Sequence, residues 1–299
     1  MKEILTRLKD GDRLICDGAM GTFLQTKGMQ PGECPELWCV ERADDVRDIH
    51  RRYRESGSDI VETNSFGGTA LKLAHYGLTE RVAEINEAAA RIAREVAGDS
   101  QYVLGSAGPT GEFMEPYGTR TREEIYAAFR AQMIALERGG ADAVIVETMT
   151  AVEEAEAAIR AARENTGLVV IASFTFDPQA HGGYATMMGV TPARAAETAI
   201  AAAAHMVGTN CGTGPDDMIR IVAELRAAAP GIPIMAMPNA GMPETVDGCL
   251  VYRETPEQMG VKAVRLAEAG ASIVGGCCGT GPTHIAAMKR GILGAFTRV

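Results

Sequence analysis

Eight short apolar runs, each followed by a stretch with helical spacing, restrict this chain more than any other feature. The runs are RLIC (13–16), DIVE (59–62), YVLGS (102–106), AVIV (143–146), LVVIASF (168–174), HMVG (205–208), IPIMAM (232–237) and SIVGG (272–276). Each is continuous rather than alternating, as in a strand covered on both faces. The segments between them are rich in Ala, Glu and Arg. Thr121, with Glu124 three residues on, has the form of a capping box, and Gly139–Gly140 closes that helix. The segment from Thr255 to Gly270 repeats the design. Strands alternating with helices give βα units and a parallel sheet. Eight of them in 299 residues are the number and length of a closed (β/α)8 TIM barrel. The expectation is one α/β domain over residues 1–299. An open doubly wound sheet is the competing architecture, but no Gly-x-Gly-x-x-Gly follows the first run. The sixth unit carries the weakest signal, because TAIAAAAHMVGTNCG passes from helix to strand with almost no loop.

With 46% apolar and only 5% aromatic residues, the core is expected to be aliphatic and rich in Ala. A net charge of −10 argues against nucleic acid or an anionic membrane as partner, because both would repel it. The first twelve residues are interspersed with charges, unlike a secretory signal, and no apolar run approaches the ~20 residues of a membrane span. The chain therefore reads as soluble and cytoplasmic. In a reducing compartment, clustered members of its seven cysteines are better read as metal ligands or catalytic groups than as staples.

A barrel keeps its chemistry at the C-terminal ends of its strands. Those ends carry Asp17; Glu62, Thr63 and Asn64; Gly108 and Pro109; Glu147 and Thr148; Ser173 and Thr175; Asn210 and Cys211; Asn239; and Cys277 with Cys278. Three cysteines thus fall on the sixth and eighth strand ends, roughly 10 Å apart at ~4.8 Å per strand. The glycines of GGCCGTGPTHI free the backbone to turn adjacent thiols the same way. Three thiolates with a vacant fourth position are what a catalytic zinc site needs. Two other readings of the segment stay open at this point: a vicinal redox pair, and a phosphate loop, which leaves Cys211 unexplained. Cys16, Cys34, Cys39 and Cys249 read as structural or incidental, and His284 as a candidate supporting group beside the thiols. The stretch DIHRRY (48–53) begins like the Asp-x-His-x-x-Gly of cobalamin modules. Tyr53 stands in place of the glycine, and the segment reads as an amphipathic helix.

The motifs CDGAMGTFLQ, DIVETNSFGGT, AVIVETMT, VGTNCGTGP, MPNAG and GGCCGTGPTHI occur in this order over almost the whole chain. Together they resemble the zinc-dependent homocysteine S-methyltransferase family. The resemblance implies that Cys211, Cys277 and Cys278 hold Zn2+, that Asp17 and Glu147 hold the ammonium of L-homocysteine, and that the amides of Gly18 and Ala19 hold its carboxylate. Asn239 matches a residue whose side-chain oxygen fills the fourth zinc position in some members. The implied reaction is methyl transfer to the homocysteine thiol, giving methionine.

The methyl donor is less constrained. ETNSFGGT, GPTGEFMEPYG and MPNAG look closer to the homocysteine module of cobalamin-dependent methionine synthase. That module takes its methyl group from methylcobalamin on another module, so a corrinoid protein is the expected partner. Stand-alone enzymes using S-methylmethionine or betaine are the alternatives. Betaine enzymes place a Tyr after the strand-four Glu, where this chain has Thr148. The chain is too short to include cobalamin, folate or activation modules, which suits either a stand-alone protein or an excised module. Outside the family, a phosphate-binding barrel lyase with incidental cysteines is the remaining alternative.

Overall fold

A computed structural model describes residues 3–246 and 249–296. Its main sheet contains β1 (Leu14–Ile15), β2 (Ile60–Glu62), β3 (Tyr102–Ala107), β4 (Ala143–Met149), β5 (Val169–Phe174), β6 (Met206–Asn210), β7 (Ile234–Met237) and β8 (Ile273–Val274). The strands run in chain order from β2 to β8 and then to β1, parallel at every step. A parallel bridge between Cys16 and Ile60 closes the ring. The helices of the successive units are α1 (Ala43–Glu55), α2 (Val82–Ala97), α3 (Arg122–Arg138), α4 (Val152–Asn165), α5 (Pro192–Ala201), α6 (Pro215–Ala228), α7 (Pro256–Ala269) and α8 (Pro282–Phe296). The architecture is the expected (β/α)8 barrel.

The continuous apolar runs turn out to alternate between two cores. Leu14, Cys16, Ile60, Leu104, Ile145, Ile171, Met206, Met235 and Ile273 point inward, and Ile4 and Leu8 of the preceding helix Ile4–Lys9 join them. Their neighbours Ile15, Val144, Val146, Val170, Val207 and Val274 point outward into the helix layer. There the small side chains Ala89, Ala158, Ala161, Ala196 and Ala199 let the helices lie close to the sheet. Both expected capping boxes are present, Thr121 with Glu124 and Thr255 with Gln258. The sixth unit looked loopless because residues 202–205 reverse the chain tightly, with Ala203 at φ 61°.

Two hairpins in the βα loops have no clear signal in the sequence: Asp177–Pro178 with Tyr184–Ala185, and Glu244–Val246 with Cys249–Val251. The side chain of Cys249 lies outside the described residues. Among the described residues, no helix is long and apolar enough to cross a membrane.

Candidate active site

Strand parity carries side chains from the inner core up into the barrel mouth. Two residues beyond inward-facing Ile60 is Glu62; the same step leads from Leu104 to Ser106 and from Ile145 to Glu147. Repeated steps lead from Met206 to Asn210 and from Ile273 to Cys277. All five line a cavity of about 310 Å3, together with Gly18, Ala19, Phe66, Cys211 and Cys278.

Cys211 lies one residue past Asn210, where parity would turn it away. Instead its backbone is left-handed at φ 57°, a conformation that costs a non-glycine residue about 1–3 kcal/mol. The Cys211 amide donates to Met237 O at 3.1 Å, which holds the turn. On the other side, Cys277 N–H donates to Pro238 O at 2.9 Å, and the Thr280 hydroxyl donates to Cys277 O at 2.7 Å. Gly275 and Gly276 are needed here, since a Cβ on either would overlap Cys16 or Thr280. The result is Sγ–Sγ distances of 3.9 Å from Cys211 to Cys278 and 4.0 Å from Cys277 to Cys278. All three sulfurs lie within 4.8 Å of one another, and all three thiols are free.

These distances suit a metal. A tetrahedral zinc with bonds near 2.3 Å separates its sulfurs by about 3.8 Å. Without a cation the three thiols cannot all ionise. Hydrogen bonds from Cys277 and Cys278 pull Cys211 down to about 3; the interaction with Cys211 pushes Cys277 well up and Cys278 up to about 11. Asn239 adds a further sign. It hydrogen-bonds Cys211, while its own Oδ1 is buried without a partner. An orphaned oxygen beside three thiols is the donor set of a four-coordinate thiophilic cation.

Buried carboxyls occupy another part of the cavity wall. Glu147 accepts a hydrogen bond from the Ser106 hydroxyl at 2.6 Å, and burial still lifts its carboxyl to about 7. Glu62 interacts directly with Glu147, and burial together with the Glu147 and Asp17 charges raises it well above the ordinary range. Asp17 stands behind this pair. Its Oδ2 accepts the Glu62 amide at 2.9 Å, the Cys16 thiol donates to its Oδ1 at 3.5 Å, and burial raises it to about 7. Asp17 does not line the cavity. Of the two carboxyls the sequence singles out, Glu147 lines the cavity, and Asp17 lies against Glu62, whose amide it accepts. The sequence reading had Glu62 only as a strand-end residue; the parity of Ile60 was the signal that marks it.

Gly18 and Ala19 also reach the cavity, although the Ala19 amide donates to Thr280 Oγ1 at 3.2 Å. Asn210 braces the wall: its Oδ1 accepts from Thr148 N at 2.9 Å and Ser173 Oγ at 2.7 Å. Its Nδ2 donates to Thr148 Oγ1 at 2.7 Å, holding Thr148 left-handed at φ 58° beside Glu147. His284 serves the scaffold. Its Nδ1 accepts from Gly281 N–H at 3.1 Å, so Nε2 carries the proton and donates to Glu254 O at 3.0 Å. Asp48 pairs with Lys27, and His50 is fully buried in α1, so neither contributes to the mouth. Cys16, Cys34 and Cys39 are buried, and burial pushes each thiol up.

Fold and site together define a (β/α)8 barrel with a metal-competent cluster of three rim thiols facing buried carboxyls. A family model described as homocysteine S-methyltransferase matches residues 14–292, and the chain belongs to that family. Methionine synthases from Mycobacterium tuberculosis and Mycobacterium leprae are 35% and 34% identical to it, each over 91% of this chain. The chain spans 24% of the length of either relative. Among solved structures, the homocysteine methyltransferase MmuM from Escherichia coli in its metallated form superposes with a TM-score of 0.77. The alignment covers 95% of this chain and 98% of that one at 24% identity, and it supports the fold.

Proposed function

We propose that this barrel transfers a methyl group to the thiol of L-homocysteine, giving methionine, with Zn2+ held by Cys211, Cys277 and Cys278. The carrying observation is that one cavity joins three thiols within 4.8 Å of one another to the half-buried carboxyl of Glu62 and the buried carboxyl of Glu147. A small molecule with a thiol and an ammonium group is the ligand that satisfies both ends. The bound ion would supply Lewis acidity that keeps a substrate thiol ionised at neutral pH.

The protein's own groups do the rest. Cys211, Cys277 and Cys278 would bring three negative charges against the +2 of the ion, a ligand set that would keep a substrate thiolate electron-rich. Asn239, whose buried Oδ1 has no partner, would offer the ion a further oxygen donor. Burial favours the neutral forms of Glu62 and Glu147 in the free pocket, and a substrate ammonium would favour their ionised forms. Ser106 fixes Glu147, and Asp17 fixes Glu62 through its amide. Gly18 and Ala19 receive the substrate carboxylate, with Thr280 yielding the Ala19 amide.

Methylcobalamin on a separate corrinoid module or protein is the proposed methyl source. The support is the name of the 35% and 34% identical relatives and the small part of them that this chain spans. A stand-alone enzyme using S-methylmethionine is the second reading, favoured by the coverage of 98% of the E. coli homocysteine methyltransferase. We take residues 1–299 as one domain. Free cluster thiols suit the reducing cytoplasm.

The test is an assay on reduced, zinc-loaded protein with homocysteine and methylcobalamin, S-methylmethionine or betaine in separate reactions. Methionine formed from methylcobalamin supports the proposal. Turnover only with S-methylmethionine selects the stand-alone reading. No methionine from any donor would overturn the assignment.

A further inference from the structure

Strand β4 carries one residue more than its neighbour can pair. Val146 stands opposite Ala172 of β5 and Met149 opposite Phe174, three steps on one strand against two on the other. This bulge resets the parity of the strand. Glu147 faces the cavity, and Thr148, which alternation would turn into the helix layer, lines the cavity beside it. Met149 then points outward with Phe174. Thr148 absorbs the extra residue with a left-handed backbone at φ 58°, a conformation that strains a β-branched side chain.

One side chain from β6 holds this bend. Asn210 Oδ1 accepts the Thr148 amide at 2.9 Å, and Nδ2 donates to Thr148 Oγ1 at 2.7 Å. The Ser173 hydroxyl of the intervening β5 donates to the same Oδ1 at 2.7 Å and so fixes which end of the amide meets Thr148 N–H. Asn210 is fully buried, so these bonds do not exchange with water. Its backbone is held separately: Asn210 pairs with Met237 in the ladder, and Cys211 N–H donates to Met237 O. The Asn210 side chain therefore acts on the carboxyl wall of the cavity, while the cysteine turn has its own support.

We infer that Asn210 is a positioning residue for the ammonium end of the cavity, clamping the bulge so that Glu147 is aimed at the substrate, a role that rests on the homocysteine reading above and deepens it. Ser106 secures the tip of Glu147 at 2.6 Å but does nothing for its backbone. The clamp on the next residue secures the base. Without it, Thr148 has no bond to offset its strain, and the strand end can relax toward regular alternation, carrying the Glu147 carboxyl away from where an ammonium group would meet it.

The probes are L-homocysteine and 1-propanethiol, which share a thiol but not an ammonium group. Each is titrated into reduced, Co2+-loaded protein while the sulfur-to-cobalt absorption is followed. In Asn210→Ala the dissociation constant for L-homocysteine should rise about 10-fold or more, the worth of a hydrogen bond to a charged group, and that for propanethiol should not change. Adding Thr148→Gly should recover most of the loss, because glycine takes a left-handed backbone without a clamp, whereas a general loosening of the barrel would not be repaired by a glycine. Ser173→Ala removes one bond of the clamp and should shift L-homocysteine in the same direction, which keeps the test open should Asn210→Ala not fold. Unchanged homocysteine affinity in the folded variant would overturn the inference. So would an equal loss for both thiols, or a loss that Thr148→Gly leaves in place. Wild-type protein that takes up no Co2+, or binds both thiols alike, would sink the homocysteine reading and this inference together; wild type that prefers homocysteine, beside a variant that prefers it as strongly, would sink this one alone.

Discussion

Replacing Glu147 with Gln should stabilise the fold while weakening the substrate site, and the size of the gain follows from burial. The Glu147 carboxyl is lifted from 4.5 to about 7. Between those values the folded protein holds a proton that the unfolded chain has released. Folding stability is therefore fully present below pH 4.5 and is lost as pH rises through 7. Each pH unit in that window costs about 1.4 kcal/mol, about 3 kcal/mol in all. Gln carries no charge to bury, its oxygen can keep the Ser106 bond, and its amide can donate to Glu62. Urea unfolding of wild type and Glu147→Gln at pH 5 and pH 8 measures the effect. Reduced, metal-free protein is used, so that proton-linked metal binding does not enter. The stability difference should widen in favour of the variant by roughly 2–3 kcal/mol from pH 5 to pH 8. In the metal-loaded protein at pH 8, homocysteine should bind at least about 10-fold more weakly to the variant, which cannot ionise against the ammonium. A pH-independent stability difference would refute the claim that burial presses on this carboxyl.

Cys211→Ala should lose zinc and methyl transfer together while keeping its far-ultraviolet circular dichroism; full zinc occupancy in that variant would disprove the ligand set. Glu62→Gln should raise KM for homocysteine and leave zinc content unchanged, whereas an unaltered KM would show that Glu62 does not meet the ammonium. His50 is fully buried with neither ring nitrogen hydrogen-bonded, and burial lowers it from 6.5 to about 4. The unfolded chain then binds the extra proton as pH falls from 6.5 to 4, removing about 3 kcal/mol of stability. His50→Leu should flatten that acid limb in urea titrations, and an equally steep limb would exclude His50 as its source.

The barrel was legible because apolar runs and capped helices alternate eight times, each run too short for anything but a strand. The cysteines were legible because the strand ends of a barrel converge. Their orientation was less so. Cys211 faces the site through a left-handed backbone that no local glycine announces at that position, although Gly212 follows at φ 62°. Glu62 shows the opposite case. Counting by twos from Ile60 sends Glu62 inward beside Glu147, information the sequence contained but motif matching passed over. The Ala19 bond to Thr280 joins residues 261 positions apart and leaves no local trace. The Tyr252 ring lies on Gly279 only because the loop between β7 and α7 folds back over it, again a tertiary contact without a sequence period.

X-ray absorption at the zinc edge, on reduced protein before and after homocysteine is added, tests the central claim most directly. The account predicts three sulfur neighbours and one oxygen at first, then four sulfurs near 2.3 Å once the substrate thiol has displaced Asn239. A coordination shell that homocysteine leaves unchanged, or one without three sulfurs at the start, would contradict it.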